Sequence, residues 1–379
     1  MGRWSVASSA ILVVLFAVAP SASSSTTPPA SSLELACAAR VVATWPLVRV
    51  ANETVSVSVN ALNIGAMGPA ARAGYGGLLV FGTTAPAHFA DSVATLQRES
   101  PERDTILVMT DEEGGGVARL TNLVATAPWA QTMGKNLTPA QITAEGARVG
   151  RSMIAAGLNT DLAPVLDVDG RAVAPGATNP DGYRSFSGVA AVAASDGVAF
   201  ANGLRAAGVT PVVKHFPGLG GATGNTDYGP AATRPWATLQ RTGLVPFERA
   251  VGAGIGAVMI SNATVPGLSS LPSSISPVVI GVLRHRLGFS GLIVTDSLSA
   301  GALSALHLGV PAASVRAIAA GADLVLAGSS PSSAASLAVA RDTSLAIQRA
   351  LTTGALSLAT LRAAAAQVLA SETPLVCPG

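Results

Sequence analysis

Eight short apolar segments, each followed by a helical pattern, constrain the fold of this chain most strongly. The predicted strands are Val55–Val59, Gly77–Phe81, Thr105–Met109, Thr160–Val165, Thr210–Lys214, Ala257–Ser261, Leu292–Thr295 and Asp323–Leu326. Continuous apolar strands that alternate with helices indicate a parallel sheet buried on both faces. Eight repeats predict a single-domain α/β fold, a (β/α)8 TIM-like barrel. A doubly wound open sheet is the alternative, although no GxGxxG motif opens a first helix.

Amphipathic patterns between these strands predict the helices that would surround the barrel. They cover Pro139–Ala156, Gly188–Ala207, Leu239–Ala253 and Pro277–Leu287. The long segment Ala335–Ala370 predicts two helices with a break near Gly354.

The N-terminal segment is typical of export. Residues 1–24 predict a signal peptide, because Arg3 precedes an apolar run from Ala10 to Ala19 and small residues follow. That run is too short to cross a bilayer of about 30 Å, although a retained signal anchor is the alternative. Residues 25–36 predict a Ser/Thr/Pro-rich tether, and residues 37–379 the barrel domain. We therefore expect a secreted, extracytoplasmic protein with no stable transmembrane span.

The two cysteines lie near opposite ends of the predicted mature chain. An oxidising compartment favours a disulfide between Cys37 and Cys377, which requires the chain ends to meet. Two free thiols are the alternative. A lipid anchor on Cys37 is disfavoured, because Glu34 places a charge where a lipoprotein signal needs an apolar residue.

Charge and histidine usage exclude several classes of function. The 23 basic and 21 acidic residues leave a net charge of +2 without a Lys/Arg run, which argues against a nucleic-acid partner. The four histidines are too scattered along the sequence to predict a zinc site, so we expect neither a metal nor a cofactor.

Polar residues cluster at the ends of the predicted strands. Asp111 follows the third strand, Lys214 and His215 end the fifth, Asp296 follows the seventh, and Arg184 lies beyond the fourth. Parallel barrel strands end at one rim, so these side chains are expected to surround one pocket. Carboxylates with Arg, Lys and His indicate a polyhydroxylated substrate, and one carboxylate could attack an anomeric carbon in a retaining glycosidase. An aldolase that uses Lys214 as a Schiff-base nucleophile is a remote alternative.

Several segments resemble glycoside hydrolase family 3, in particular its single-barrel bacterial β-N-acetylglucosaminidases. They are TDEEGGGVARL (110–120), DLAPVLDVDG (161–170), YRSF (183–186), KHFPGLG (214–220) and GLIVTDSLSAGAL (291–303). The resemblance implies a carbohydrate substrate, namely N-acetylglucosaminides or muropeptide fragments of the cell wall. We also expect a monomer.

The resemblance implies a role for each matching residue. Asp296 corresponds to the catalytic nucleophile, and Asp111 to the residue that holds hydroxyls of the terminal sugar. The remaining residues implied in sugar binding are Arg119, Arg184, Lys214 and His215. Asp167 is expected to support the rim, and Glu112 and Glu113 are interpreted as supports of their loop rather than catalysts.

The sequence departs from the family pattern in the loop after the fifth strand. Leu219 replaces a histidine, and Asn225-Thr226-Asp227 stands where the family has Asp-x-His, whose histidine is the general acid/base. Asp227 could replace that histidine; otherwise the protein turns over only activated substrates, or binds cell-wall sugars without turnover. Gly116 and Asn262 also stand where the family commonly has Arg and His, which leaves contacts to the N-acetyl group open.

The same loop, Leu219 to Ala232, is rich in glycine, and we expect it to be mobile and to close over substrate. If Asp227 is the acid of a retaining enzyme, its carboxyl should lie about 5–5.5 Å from that of Asp296.

Overall fold

The structure is a computed structural model that describes residues 1–2, 32–101, 106–328 and 332–371. Most of the predicted signal peptide and Cys377 lie outside these residues, so signal cleavage and the disulfide stay predictions.

Helix α1, Ser32–Ala43, begins five residues before the predicted domain boundary, so the end of the segment predicted as a tether is helical. Cys37 is buried in this helix, which packs against the last helix of the described residues, Leu358–Ser371.

The described residues form ten strands, eight of which make the barrel. The strands are β1 (Val55–Asn60), β2 (Gly77–Phe81), β3 (Leu107–Thr110), β4 (Glu112–Gly114), β5 (Val117–Ala118), β6 (Thr160–Asp161), β7 (Thr210–Phe216), β8 (Ala257–Ile260), β9 (Leu292–Thr295) and β10 (Val325–Leu326). The sheet order is β10-β1-β2-β3-β6-β7-β8-β9, and every neighbouring pair is parallel. A parallel bridge between Val294 and Leu324 joins β9 to β10 and closes the ring. The predicted (β/α)8 barrel is therefore confirmed.

Helices ring the barrel. After α1 they are α2 (Leu47–Glu53), α3 (Gly68–Ala73), α4 (Phe89–Glu99), α5 (Ala130–Asn136), α6 (Pro139–Ala155), α7 (Ala190–Ala206), α8 (Trp236–Leu239), α9 (Leu244–Gly252), α10 (Pro277–Gly281), α11 (Gly301–Ser304), α12 (Val310–Ala320), α13 (Ser333–Thr353) and α14 (Leu358–Ser371). Helix α6 begins with a capping box between Thr138 and Gln141, which satisfies amides that the first turn leaves without partners. Helix α13 ends at Gly354, whose φ of 75° is the left-handed conformation that glycine adopts readily, so the predicted break is confirmed.

Two predicted helices are interrupted. The segment predicted as one helix over Leu239–Ala253 contains the end of α8 and all of α9, with a turn at Gly243 between them. The turn packs directly on the segment after β7, since a Cβ on Gly243 would lie 3.0 Å from the Pro217 carbonyl oxygen. The helix predicted over Pro277–Leu287 becomes α10 followed by a π-helical turn, Val282–Arg286.

The fourth predicted strand is shorter than expected. Thr160–Val165 was predicted from its apolar content, but β6 contains only Thr160–Asp161. Pro164 has no amide hydrogen to donate to a neighbouring strand, so regular pairing ends before it. The chain still follows the barrel wall, because Lys214 N donates to the Pro164 carbonyl at 3.1 Å and Val165 bridges Lys214.

The core has two separate apolar clusters. One fills the layer between the strands and the surrounding helices, and the other fills the interior of the barrel. It consists of alternate strand residues, which are Leu79, Leu107, Met109, Leu162, Val212, Ala257, Met259, Leu292, Val294, Leu324 and Leu326, together with Val368. These side chains fill the barrel below its carboxyl-terminal rim. Within the described ranges, no helix combines the length and apolarity that crossing a bilayer requires.

Candidate active site

Strand alternation carries three charged residues onto the top layer of the barrel interior. Side chains two residues apart on a strand point to the same face. Asp111 therefore continues the inward series of Leu107 and Met109, and Asp296 continues that of Leu292 and Val294. Lys214 likewise follows the inward-facing Val212 on β7. The fold thus directs these three side chains to one opening, as predicted.

A cavity of about 330 Å³ lies at this opening. Its lining includes the charged and polar residues Asp111, Glu113, Arg119, Arg184, Lys214, His215, Asp227 and Asp296. All seven candidate sugar-contacting and catalytic residues are therefore brought together. Glu113, which was interpreted as a loop support, also lines the cavity.

Glu113 is the central group of a buried ion network. Lys214 Nζ lies 2.6 Å from Glu113 Oε1 and 2.7 Å from Asp111 Oδ1. Arg184 donates to both oxygens of Glu113, from Nε at 2.7 Å and from Nη2 at 2.8 Å. The Arg184 Nη1 group donates to the Pro180 carbonyl at 2.7 Å. This network holds two cations and two carboxylates in fixed relative positions through charge-assisted hydrogen bonds.

The network keeps its members ionised despite burial. Burial by itself raises a carboxyl pKa, but Arg184 and Lys214 together hold the pKa of Glu113 well below its usual value. Burial likewise opposes the charge on Asp111, yet Lys214 and Arg119 lower the pKa of that carboxyl. Arg119 Nη2 lies 3.3 Å from Asp111 Oδ2 and its side chain is about one-third exposed, so it forms the outer edge of the network.

His215 is oriented by Asp167 and is held neutral by burial and by the charge of Arg184. Its Nδ1 lies 2.6 Å from Asp167 Oδ2, and the amides of His215 and Leu219 donate to Asp167 Oδ1 at 3.3 Å and 2.6 Å. Burial and the charge of Arg184 lower the pKa of His215 to about 4. Asp167 is therefore a support for the rim, and the neutral ring directs Nε2 towards Arg184 Nη2, 3.4 Å away.

Asp167, Asp181 and His215 each bring one ligand atom within 4.8 Å of the others, and among the described residues they are the group with metal-ligand spacing. A cation there would lie beside the Arg184 guanidinium, which repels it. Asp181 is fully buried, and its carboxyl group lies against that of Asp167. Burial and the charge of Asp167 raise the pKa of Asp181 well above its usual value. A raised pKa favours the neutral form of this carboxyl group, which lowers the free-energy cost of its burial.

Asp296 lines the cavity and does not cap a helix. Its Oδ1 accepts the amide of Ser297 at 2.7 Å, whereas α11 begins five residues later at Gly301. Burial raises the pKa of Asp296 above its usual value. Asp227 lines the same cavity as Asp296.

Asp227 lies on an exposed turn above Asp296. The Asn225 side chain accepts the Asp227 amide at 3.0 Å, so it shapes the turn rather than contacting the Asp227 carboxyl. The turn is attached to α11, because the amides of Gly301 and Ala302 donate to the carbonyls of Asp227 and Thr226, each at 3.0 Å. The loop that was expected to move is thus fastened at its centre in this structure.

Comparisons with known proteins place this site in a family. Residues 58–371 match the glycosyl hydrolase family 3 N terminal domain. The chain belongs to glycosyl hydrolase family 3. The beta-hexosaminidase LpqI of Mycobacterium tuberculosis is 38% identical over 228 residues, which cover 58% of this chain and 58% of LpqI. This family 3 chain thus spans less than two thirds of the length of that relative.

Two further relatives extend over more of their own length. A protein of Arthroderma benhamiae, described as an uncharacterized secreted glycosyl hydrolase, is 33% identical over 271 residues, covering 66% of this chain and 73% of that protein. The crystal structure of a β-N-acetylhexosaminidase from Beutenbergia cavernae is 30% identical with a TM-score of 0.76, covering 87% of this chain and 99% of that one. These similarities are consistent with the family 3 barrel.

Two departures from the family pattern have structural roles in this family 3 chain. Asn262 Nδ2 donates to the Ser297 carbonyl at 2.8 Å and Ser274 donates to Asn262 Oδ1 at 2.6 Å, so Asn262 supports the segment beside Asp296. Gly116 lies against Trp129, since a Cβ there would be 2.8 Å from the indole ring. A larger side chain at position 116 would therefore displace Trp129.

Glu112 and Asp161 are neighbouring buried acidic residues, an arrangement that the sequence did not identify. Glu112 N donates to Asp161 Oδ1 at 2.9 Å, and Glu112 Oε1 accepts the amides of Arg119 and Leu120. Burial raises the pKa of Glu112 to about 7. Glu112 thus ties β4 to β5 and supports its loop, as predicted, while Glu113 beside it faces the cavity.

Replacing Glu112 with Gln should make the protein more stable at alkaline pH. The folded-state pKa of Glu112 is raised, so its contribution to stability is present at low pH and is lost as pH rises through about 7. Gln does not ionise and keeps an oxygen for the two amides. We expect urea denaturation to show a gain of about 1–3 kcal/mol at pH 8 and little difference at pH 4. Glu248→Gln, at an exposed position on α9, should show no such pH dependence; an equal gain at both pH values would contradict the assignment.

Proposed function

We propose that this protein is a secreted retaining β-glycosidase that removes terminal N-acetylglucosamine residues from cell-wall-derived glycosides. The observation that carries the proposal is the placement of Asp296 at the end of β9, facing the cavity that the Asp111–Lys214–Glu113–Arg184 network also lines. The name of LpqI and that of the Beutenbergia cavernae relative support the sugar specificity. Export is supported by the N-terminal sequence pattern and by the secreted relative.

The geometry supports a division of the cavity between sugar binding and bond cleavage. Asp111, Arg184, Lys214 and His215, with Arg119 at the edge, would hold the hydroxyl groups of the terminal sugar. Fixed charges that need no rearrangement during reaction stabilise the charge that develops on the sugar. The site requires no metal or cofactor for this chemistry. A disulfide between Cys37 and Cys377 in an exported monomer remains part of the proposal.

The reaction would proceed by two displacements. The Asp296 carboxylate attacks the anomeric carbon while the bond to the leaving oxygen breaks, and Asp227 donates its proton to that oxygen. This step leaves a glycosyl ester on Asp296. Asp227, now a carboxylate, takes a proton from water, which attacks the same carbon and breaks the ester bond. The sugar leaves with its original anomeric configuration.

An assay with an aryl β-N-acetylglucosaminide tests the reaction directly. Wild-type protein should release the phenol, and proton NMR should show the β-anomer of the sugar first. Initial formation of the α-anomer would contradict the double displacement.

A second candidate function, sugar binding without turnover, is favoured by the missing histidine of the Asp-x-His motif. Calorimetric binding of muropeptide fragments without any hydrolysis would support that function instead.

Removal of Asp227 should affect substrates according to their leaving groups. Asp227→Ala is expected to lower kcat/KM on the order of 10²–10⁴-fold for a disaccharide, whose alkoxide needs a proton. A dinitrophenyl glycoside, whose leaving group needs none, should lose less than about tenfold in the first step. The measurement is kcat/KM for both substrates, which reports the first displacement and not the hydrolysis of the glycosyl ester. Asp91→Ala, at an exposed position on α4, should change neither rate; equal slowing of both substrates by Asp227→Ala would exclude it as the acid.

A further inference from the structure

We propose that Tyr228 is the platform of a second sugar subsite, which binds the first pyranose ring of the leaving group. The inference rests on the proposed function, because it assumes that the terminal sugar binds beside Asp296 and that the leaving group points towards solvent. It identifies a specificity residue outside the network that holds the terminal sugar.

Tyr228 is an exposed aromatic side chain at the edge of the cavity. It is 73% exposed and belongs to the cavity lining. In the described part of the chain, the other strongly exposed large apolar side chains are aliphatic, and none of them lines this cavity. An aromatic ring left in water has no role in packing, but it presents an apolar face and a polar hydroxyl to a ligand. A pyranose ring has the complementary surface, with C–H groups on its faces and hydroxyls at its edge.

The backbone that carries Tyr228 is held in place. Its amide donates to the Asn225 carbonyl at 3.1 Å, and the Asn225 amide donates to Ala177 at 2.8 Å. On the other side the turn lies directly on α11, where a Cβ at Gly301 would be 2.7 Å from the carbonyl carbon of Tyr228. A platform on a fixed turn loses little backbone entropy when a ligand binds, so its contact contributes more fully to affinity.

The neighbouring residues indicate which part of a substrate reaches Tyr228. The ion network around Glu113 and the Asp296 carboxyl line the same cavity and are buried, whereas Tyr228 is the exposed part of that lining. Asp227 precedes Tyr228, and in the proposed reaction it protonates the oxygen that joins the two sugars. The ring attached to that oxygen must therefore leave the cavity beside residue 228.

Binding of one sugar and of two sugars separates this subsite from the inner one. Calorimetry would use an Asp296→Asn background, which prevents turnover, with N-acetylglucosamine and its β-1,4-linked disaccharide as ligands. Adding Tyr228→Ala should weaken the disaccharide on the order of tenfold and leave the monosaccharide within about twofold. Tyr228→Phe should retain most of the disaccharide affinity. Leu358→Ala, which truncates an exposed side chain outside the cavity, should change neither.

The outcomes distinguish this inference from the proposed function. Equal weakening of both ligands by Tyr228→Ala, or no weakening, would overturn the platform even if the wild type hydrolyses the disaccharide. A selective loss of disaccharide binding would support it even if the wild type has no hydrolytic activity, which would contradict only the proposed reaction. A protein that binds neither sugar would contradict both.

Discussion

Asp296→Asn should abolish glycoside hydrolysis while leaving the protein folded. Asn cannot form the glycosyl ester, so kcat/KM is expected to fall by on the order of 10⁴-fold or more. The fold should tolerate the change, because the carboxylate makes one hydrogen bond, to the adjacent Ser297 amide, and an Asn oxygen can accept it. Hydrolysis of an aryl β-N-acetylglucosaminide measures the first effect, and urea denaturation the second, with an expected change below about 1 kcal/mol.

The pH dependence of the wild type provides a related check on Asp296. Burial raises its pKa above the usual aspartate value, and the nucleophile must be ionised. Activity should therefore fall with decreasing pH at a higher pH than an unperturbed aspartate would require. Undiminished hydrolysis by Asp296→Asn would show that another group attacks the sugar. Asp342→Asn, which changes an exposed carboxylate on α13, controls for nonspecific effects of charge removal.

The barrel and most of its site could be predicted because strand periodicity determines both. Met109, Val212 and Val294 are inward-facing apolar residues, and the charged residues two positions later lie on the same face. The sequence therefore shows which carboxylates and which lysine reach the rim. Helix interruptions such as that at Gly243 could not be predicted, since they depend on close contact with a distant segment.

The role of Glu113 could not be predicted, because the sequence around Glu112 and Glu113 does not show which of the two side chains faces the cavity. Their roles depend on β4, a three-residue strand whose pairing with β5 decides which side chain faces the cavity. Asp181 and Tyr228 lie in irregular segments, where no helical or strand periodicity indicates which way a side chain points. Asn262 was considered for its effect on substrate, whereas the structure shows it bonded to the segment beside Asp296.

Glu113→Gln should be the most destabilising single change at the rim. Glu113 contacts both Lys214 and Arg184, and the side chains of Glu113 and Lys214 are only 4% and 3% exposed. Loss of its charge leaves Lys214 with Asp111 as its paired carboxylate and leaves Arg184 without the carboxylate that it contacts, and breaking a buried ion pair typically costs about 3–5 kcal/mol. We expect a lower urea midpoint at pH 7 and, because Arg184 and Lys214 lose their orientation, a fall in kcat/KM on the order of 100-fold.

Glu99→Gln is the matched control, because Glu99 also pairs with an arginine, Arg72, at 2.7 Å but on the surface. Its removal should lower the free energy of unfolding by less than about 1 kcal/mol.

The stability of the two variants should also differ in its dependence on pH. The pKa of Glu113 is lowered in the folded protein, so its contribution is present above about pH 4.3, the unfolded value, and is lost as pH falls through the folded pKa. The stability gap between wild type and Glu113→Gln should therefore narrow in acid. Two results would contradict this prediction: a loss of unfolding free energy no larger than that of Glu99→Gln, or a stability difference from wild type that does not change with pH. Either result would mean that the charge of Glu113 does not stabilise the buried Lys214 and Arg184.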